Sequence, residues 1–334
     1  MSRELRWGVL GAAKIAIEKV VPAIAAAARC SVVAIASRDR AKAERAAAAL
    51  GIGRAYGSYE ELLADPGIDA VYNPLPNHLH VPWSIRALEH GKHVLCEKPI
   101  ALSAAEALQL KQARDKSGLL VEEAFMVRTH PQWLRARELV RGGRIGPLRA
   151  LVGCFSYFNE DPANVRNVSA YGGGGLMDIG CYPITIARFV FEAEPLRVAA
   201  FLERDPRFGT DRLASAVLEF PAGQAIFTCS TQLVPYQRVQ LLGTKGRIEL
   251  EIPWNAPRDG ATRLLIDDGR DLTGGGIEAV LLPPCDQYRI QAELFATAAL
   301  EKGKVATPLE DSILNMKAIE AAFRSAASGR AEAP

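Results

Sequence analysis

The chain lacks the charge excess and the long apolar runs that mark two large classes of protein. Its 40 Lys and Arg nearly cancel its 38 Asp and Glu, which leaves a formal net charge of +2 over 334 residues. A nucleic acid or an anionic membrane calls for a clustered basic face, so neither partner is expected. The longest early apolar run, residues 20–28, is too short to span a bilayer, so no membrane segment is expected. No n-region and h-region open the chain, so no secretory signal is expected.

Cysteine is sparse and scattered, without a Cys-x-x-Cys pair. The six cysteines are Cys30, Cys96, Cys154, Cys181, Cys229 and Cys285. This spacing indicates no disulfide framework, and it predicts reduced thiols packed as small apolar side chains in a cytoplasmic protein. The length and the 49% of hydrophobic residues are sufficient for two domains with separate cores.

Strands alternate with helices in the first part of the sequence. Short apolar runs separated by helical patterns lie at 5–10, 31–36, 68–72, 94–96 and 119–124. This alternation predicts an α/β Rossmann domain, a doubly wound parallel sheet, over residues 1–125. Residues 126–334 show longer alternating stretches joined by Gly or Pro turns, which predict an α+β domain on a large, mostly antiparallel open sheet.

A degraded dinucleotide fingerprint follows the first strand. Gly11-Ala12-Ala13-Lys14-Ile15-Ala16 has the layout Gly-x-Gly-x-x-Gly/Ala, with Ala13 in place of the second glycine. Backbone N–H groups at a helix N-terminus can bind a pyrophosphate. An ordinary strand-to-helix turn explains the motif about as well when it is taken alone.

Ser37 and Arg38 stand where the second strand ends. NAD sites usually place an acid here to bind the ribose 2′-OH, whereas an arginine suits the 2′-phosphate of NADP. Arg38 therefore favours NADP, while Asp39 keeps NAD use open. In the alternative interpretation Ser37 or Asp39 only caps the next helix, and Arg38 is solvated.

Polar groups also follow the strand at 68–72. The loop after it contains Leu75, Pro76, Asn77 and His80, and its prolines restrict its conformations. Asn77 and His80 are expected near the carboxyl edge of the sheet, where cofactors bind. His78 and His80 have no third ligand at a suitable spacing, so no metal site is expected.

An acid and a base end the strand at 94–96. Glu97 and Lys98 follow it directly, and Pro99 restricts Lys98 to extended geometry. In doubly wound sheets the ligand lies outside the carboxyl ends of the strands, so Lys98 is a candidate site residue. A solvated Glu–Lys pair is the alternative.

Four glycines precede a helical pattern in the second half. Asp178 and Tyr182 stand four residues apart in this pattern, and on a helix they would share a face. A carboxylate and a phenol directed into a cleft can bind a substrate and transfer a proton. The alternative is an Asp stabilised by the helix dipole beside an amphipathic Tyr.

Together these motifs resemble the Gfo/Idh/MocA oxidoreductase family. Tyr182 stands where many members carry His, so the chain is similar to the branch that contains glucose–fructose oxidoreductase, NADP-dependent D-xylose dehydrogenases and dimeric dihydrodiol dehydrogenases. The stretches around Glu123–Gln132 and Asp161–Arg166 also resemble that branch. The matching motifs are Gly11–Ala16, Ser37-Arg38, Pro76-Asn77-x-x-His80, Glu97-Lys98-Pro99 and Gly173–Tyr182.

The resemblance implies hydride transfer between a nicotinamide and a sugar-like alcohol or carbonyl. It implies that Lys98 and Tyr182 exchange the proton, with either one as the direct group, and that Asp178 and Arg128 bind substrate. It also implies a homodimer or homotetramer formed through the second sheet. The implied cofactor contacts are Gly11, Ala13, Lys14, Ile15, Ser37, Arg38, Leu75, Pro76, Asn77, His80, Glu97 and Lys98.

Three functions follow from this comparison. The first is an NADP-dependent aldose dehydrogenase acting on a D-xylose or D-glucose type of sugar. The second is a trans-dihydrodiol dehydrogenase or ketosugar reductase. The third, of another class, is a regulatory protein that binds NADP without turnover, which would have no need of a proton-transfer pair.

Overall fold

The computed structural model describes residues 3–334, and they form two compact units. The first unit holds the chain up to Met126 together with Asp286–Ile313. The second holds Val127–Cys285 and Leu314–Pro334. Within residues 3–334 no helix is long and apolar enough to cross a membrane.

The strands and helices follow one another from Leu5 to Ser328. The strands are β1 (Leu5–Leu10), β2 (Cys30–Ala36), β3 (Arg54–Tyr56), β4 (Ala70–Asn73), β5 (His93–Cys96), β6 (Val121–Glu123), β7 (Leu148–Phe158), β8 (Arg197–Arg204), β9 (Asp211–Phe220), β10 (Gly223–Ser230), β11 (Gln232–Gly243), β12 (Arg247–Leu250), β13 (Thr262–Asp267) and β14 (Ile277–Leu282). The α-helices are α1 (Val21–Ala25), α2 (Arg40–Leu50), α3 (Tyr59–Ala64), α4 (His80–Glu89), α5 (Ala104–Ser117), α6 (Pro131–Arg141), α7 (Cys181–Phe191), α8 (Gln287–Glu301) and α9 (Leu309–Ser328).

The first unit is built on a six-stranded parallel sheet. The strand order is β3-β2-β1-β4-β5-β6, so the chain reverses direction across the sheet between β1 and β4. Trp7, Val9, Ile35 and Leu95 are buried on these strands, as expected where both faces of a parallel sheet are covered. The predicted doubly wound fold is confirmed, and ligands of such sheets bind at this point of reversal.

Two elements of the first unit differ from the sequence prediction. The sequence after Gly11 predicts a helix to about Arg29, but α1 ends at Ala25 and the chain turns at Arg29, whose φ is +60°. The edge strand β3 was not predicted, because three residues are too few to show alternation.

The helix α8 belongs to the first unit, although its sequence follows the second. Its Phe295 is fully buried, with a ring centroid 5.2 Å from that of Trp7 on β1. The compact units thus differ in the segment 286–313 from the predicted domains 1–125 and 126–334. The predicted domain boundaries, 1–125 and 126–334, remain a proposal.

The second unit is built on an eight-stranded sheet. Its order is β14-β13-β12-β11-β7-β10-β9-β8, and its pairs are antiparallel except for the parallel pair of β7 and β10. Leu151 and Phe227 on one face are buried, while Val152 and Ile226 on the other are exposed. The predicted open, mostly antiparallel sheet is confirmed.

Candidate active site

The turn after β1 has the geometry of a phosphate-binding turn. Gly11 has a φ of +101°, a conformation that side chains other than glycine rarely adopt. A Cβ added there would lie 3.0 Å from Cδ2 of Leu75, so the turn and the loop after β4 meet at this glycine. Ala13 and Ile15 are partly exposed, and the side chain of Lys14 is 85% exposed.

A helical segment follows this turn and contains a π-helical stretch, Ala16–Val20. The N-terminus of this helical segment is at Lys14, and the N–H of Ile17 donates to the carbonyl oxygen of Ala13 at 3.0 Å. Backbone N–H groups at such a terminus can bind an anion. The predicted fingerprint thus lies in the setting that its function requires, a strand, a glycine turn and a helix.

Arg38 is exposed at the carboxyl end of β2. Its side chain hydrogen-bonds the hydroxyl of Tyr59 on α3, whose phenol pKa is raised by burial. Asp39 caps α2, since its carboxylate accepts from the N–H of Lys42 at 3.2 Å. The carboxylate is therefore engaged in the helix cap, and the exposed guanidinium is the charged group presented at the strand end.

His80 connects the loops that follow β4 and β5. Its Nε2 lies 2.7 Å from the carbonyl oxygen of Leu75, and its Nδ1 lies 2.7 Å from that of Pro99. Burial lowers the pKa of His80 to about 4, although both carbonyl groups act in the opposite direction. The ring lies between the two loops, and in its neutral form it donates to only one of the two carbonyl groups. Its predicted contact with the cofactor remains a prediction.

The Glu97–Pro99 loop is fixed on both sides of Lys98. The N–H of Glu97 donates to the carbonyl of Asn73 at 3.0 Å, and that of Ile100 donates to Oε1 of the buried Glu123 at 2.8 Å. The Lys98–Pro99 peptide bond is cis. Lys98, which is partly buried, therefore starts from a backbone with little freedom.

Glu97 has a buried tyrosine as its partner. The hydroxyl of Tyr72 donates to Oε1 of Glu97 at 2.7 Å. Burial first, and the negative charge of Glu97 second, raise the pKa of the Tyr72 phenol, so it remains a donor at neutral pH. The same two causes raise the pKa of the Tyr288 phenol on α8, while the charge of Lys98 lowers it.

Asp178 stands in a polar cluster of the second unit. Its Oδ2 accepts from the hydroxyl of Tyr157 at 2.6 Å and from Nε of Arg166 at 2.8 Å. Burial, and then the charge of Asp178, raise the pKa of the Tyr157 phenol, so it stays protonated. Only 12% of the Asp178 side chain is exposed, and a carboxylate held in this way can accept hydrogen bonds from substrate hydroxyls.

The segment that carries Asp178 begins with a π-helical turn. Leu176–Gly180 is π-helical, and α7 continues from Cys181. The regular helix predicted here therefore starts later, and Asp178 and Tyr182 are not on consecutive turns of one α-helix. Single π-helical turns are frequent at functional sites, and no pattern in the sequence predicts this one.

Tyr182 is packed among aromatic rings of its own unit. Its ring centroid lies 5.7 Å from those of both Phe155 and Trp254, and only 5% of the residue is exposed. Its ring position is therefore fixed by packing. Lys98 belongs to the first unit, so the approach of its amine to this phenol remains a prediction.

Arg128, in the turn before α6, contacts α7. Its Nη1 donates to Oγ1 of Thr185 at 3.2 Å, and its guanidinium stands 4.7 Å above the ring of Phe189. These contacts tie Arg128 to the helix that carries Tyr182. Its predicted contact with substrate remains a prediction.

The residues of the first unit fit a dinucleotide. Gly11 holds the turn after β1 at a positive φ that glycine readily adopts, and Arg38 supplies a cation at the end of β2. Among residues 3–334, no group of three or more His, Cys, Asp and Glu side chains could bind a metal ion.

Four residues of these clusters were not predicted from the sequence. Tyr72, Tyr157, Tyr288 and Glu123 acquire their partners only through the tertiary fold. Glu123 offered the one available signal, an acid at the end of an apolar strand.

Each half of the chain matches a family model. Residues 5–125 match the model described as the oxidoreductase family with an NAD-binding Rossmann fold. Residues 133–249 match the C-terminal domain model of the Gfo/Idh/MocA family.

Individual relatives extend over nearly the whole chain. An uncharacterized oxidoreductase from Rhizobium meliloti is 49% identical over 98% of both chains. D-xylose 1-dehydrogenase (NADP(+)) 2 from Haloferax volcanii is 38% identical over 98% of this chain and 99% of that one. A 3-ketoreductase from Actinomadura kijaniata, solved in complex with NADP and TDP-benzene, superposes with a TM-score of 0.91 at 30% identity, over 97% of this chain and 98% of that chain. The resemblance seen in the sequence is confirmed, and the chain belongs to the Gfo/Idh/MocA family of oxidoreductases.

Proposed function

We propose that this oxidoreductase transfers hydride between the nicotinamide of NADP and a sugar-like carbinol, most directly an aldose of the D-xylose or D-glucose type. The observation that carries the proposal is the buried carboxylate of Asp178 with its two donors, Tyr157 and Arg166. Such a group suits a substrate with several hydroxyls. The similarity to a D-xylose dehydrogenase over nearly the whole chain supports an aldose.

Lys98 and Tyr182 are proposed as the proton-transfer pair. The nicotinamide would supply the hydride acceptor at C4. As the substrate gives up its hydride, the deprotonated form of Lys98 Nζ or Tyr182 Oη would take the hydroxyl proton, and in the reverse direction the protonated form would return it to the carbonyl oxygen. Asp178 orients the substrate through a hydroxyl, and Glu97 orients Lys98.

Turnover on a substrate panel tests the proposal. The panel contains D-xylose, D-glucose and a cyclic trans-diol with NADP⁺, and a ketosugar with NADPH, followed by absorbance at 340 nm. Oxidation of the aldoses is expected. If the diol is oxidised or the ketosugar reduced in preference, that compound replaces the aldose as the proposed substrate. The resemblance to a 3-ketoreductase favours the ketosugar as the second candidate. Binding of NADP without turnover would favour the regulatory function.

Arg38→Ala is expected to weaken NADP binding by about tenfold to a hundredfold while NAD binding changes little. The substitution removes a charge-assisted hydrogen bond that only the 2′-phosphate can accept. Titration of both cofactors by fluorescence measures the two dissociation constants. Arg40→Ala is the matched control, since Arg40 is exposed and pairs with Glu61 at 3.2 Å. Equal weakening of NAD and NADP by Arg38→Ala would contradict the assignment.

We further propose that the protein forms a homodimer or homotetramer through the outer face of the second sheet. Val152 and Ile226 are paired across β7 and β10 on this face, and Phe201 is 82% exposed on β8. A large exposed apolar face of this kind is typical of an interface between proteins. Ile226→Glu is expected to reduce the molar mass measured by light scattering to that of one chain. Leu134→Glu, at an exposed position on α6, should leave it unchanged.

A cytoplasmic location is proposed as well. No disulfide joins the six cysteines of the described chain, and most of them are buried among apolar residues. Reduced, buried thiols are typical of a reducing compartment.

A further inference from the structure

We propose that Asp211 is a positioning residue that holds the glycine turn before Asp178 and thereby fixes the Asp178 carboxylate. The inference rests on the proposed function, because it assigns Asp211 to the same substrate site. Asp211 is the first residue of β9, and it is only 1% exposed. It was not singled out by the sequence, and neither Lys98 nor Tyr182 requires it for chemistry.

The Asp211 carboxylate lies directly against the glycine turn. Its Oδ2 accepts from the N–H of Leu176 at 2.6 Å, and the N–H of Gly175 also points to it. Gly174 has a φ of +116°, and a Cβ built there would collide with Oδ1 of Asp211. The carboxylate thus occupies the place where any larger residue at 174 would put its side chain, which accounts for a glycine at this position.

A chain of hydrogen bonds connects this turn with Asp178. The N–H of Gly174 donates to the carbonyl oxygen of Arg166 at 2.9 Å, and the N–H of Asp178 donates to the carbonyl oxygen of Gly174 at 3.0 Å. Nε of Arg166 in turn donates to Oδ2 of Asp178 at 2.8 Å. Asp211 therefore fixes the backbone from which both Asp178 and its arginine partner are oriented.

Opposing effects of its surroundings set the pKa of the Asp211 carboxylate. Burial raises its pKa to about 6, while the N–H groups of Leu176, Asp211 and Gly175 and the charge of Arg204 on β8 lower it. The Cys229 thiol of β10 also faces it, and burial raises the pKa of that thiol. Because burial raises this pKa above that of an exposed aspartate, protonation below about pH 6 relieves the cost of the buried charge and does not by itself loosen the turn.

Asp205 supplies a matched control in the hairpin just before β9. It is also 1% exposed, and its carboxylate accepts from the N–H of Arg207 at 2.7 Å and from Nε2 of Gln232 at 2.6 Å. Asp205→Asn therefore removes a buried, turn-binding carboxylate of the same kind without touching the glycine turn. Asp211→Asn removes the one that binds it.

Asp211→Asn is expected to lower kcat by about tenfold to a hundredfold with little change in NADP affinity, as for a small misplacement of a substrate-binding group. Asp205→Asn should leave kcat within about twofold. If Asp211 acts through Asp178, Asp178→Asn combined with Asp211→Asn should lose no more activity than Asp178→Asn alone. Additive losses, or an unchanged kcat, would overturn the proposal.

Hydrogen exchange separates this proposal from the proposed function. Asp211→Asn should accelerate amide exchange in residues 174–182, and Asp205→Asn should not. Faster exchange in that segment without turnover of any sugar by the wild type would reject the proposed function and retain the role of Asp211 in the turn. Unchanged exchange with normal sugar turnover would reject Asp211 and retain the function.

Discussion

Lys98→Ala is expected to lower kcat by about a hundredfold or more while NADP binding is retained, as for the loss of a positioned acid–base group. The backbone of this loop is fixed by Asn73 and Glu123, so the substitution should remove the amine without displacing its neighbours. Steady-state kinetics on the best substrate of the panel measure kcat, and titration with NADPH measures binding. An unaltered kcat would reject a catalytic role for Lys98.

Lys98→Arg is the informative companion variant. Arginine keeps the positive charge, but its guanidinium is effectively always protonated and cannot exchange the proton. If Lys98 transfers the proton itself, Lys98→Arg should be as slow as Lys98→Ala. If Lys98 contributes only its charge to a proton transfer by Tyr182, Lys98→Arg should recover much of the lost activity.

Tyr182→Phe is expected to lower kcat by about a hundredfold or more and to change the pH–rate profile. The phenylalanine ring keeps the contacts with Phe155 and Trp254, so the melting temperature should remain close to that of the wild type. Tyr236→Phe is the matched control, because it removes a phenol hydroxyl from a half-exposed position on the second sheet. A normal pH–rate profile in Tyr182→Phe would exclude proton transfer through this hydroxyl.

Comparison of Tyr182→Phe with Lys98→Arg identifies the residue that transfers the proton directly. If Tyr182 is the direct group, Tyr182→Phe should be the slower enzyme and Lys98→Arg should be partly active. If Lys98 is the direct group, the order should reverse. The variant that combines both substitutions should have a kcat only slightly below that of the slower single variant, because the effects of residues that act as a unit are not additive.

The fold could be predicted where the signal is local. The apolar strands β1, β2, β4 and β5 alternate with helices, and such a pattern permits few arrangements other than a doubly wound sheet. The three-residue β3 left no such pattern. The return of α8 to the first sheet depends on the packing of Phe295 against Trp7, a contact between residues 288 positions apart that no window of sequence contains.

The candidate site was predictable for side chains whose types are unusual for their position. Lys98 after a buried strand and Asp178 after four glycines stood out from their surroundings. Tyr157 and Asp211 did not, because tyrosine and aspartate at the ends of strands are ordinary. Their significance comes from burial and from hydrogen bonds to residues 21 and 35 positions away.

The chain passes between the two units more than once, and this limits where fragments and chimeras of the protein can be cut. The sequence leaves the first unit at Met126, re-enters it at Asp286 and leaves again after Ile313. A fragment that stops at residue 126 would expose the Trp7 ring that Phe295 covers. A chimera that receives the second unit of a relative must therefore be spliced at several junctions and keep 286–313 from the parent that supplies the first unit.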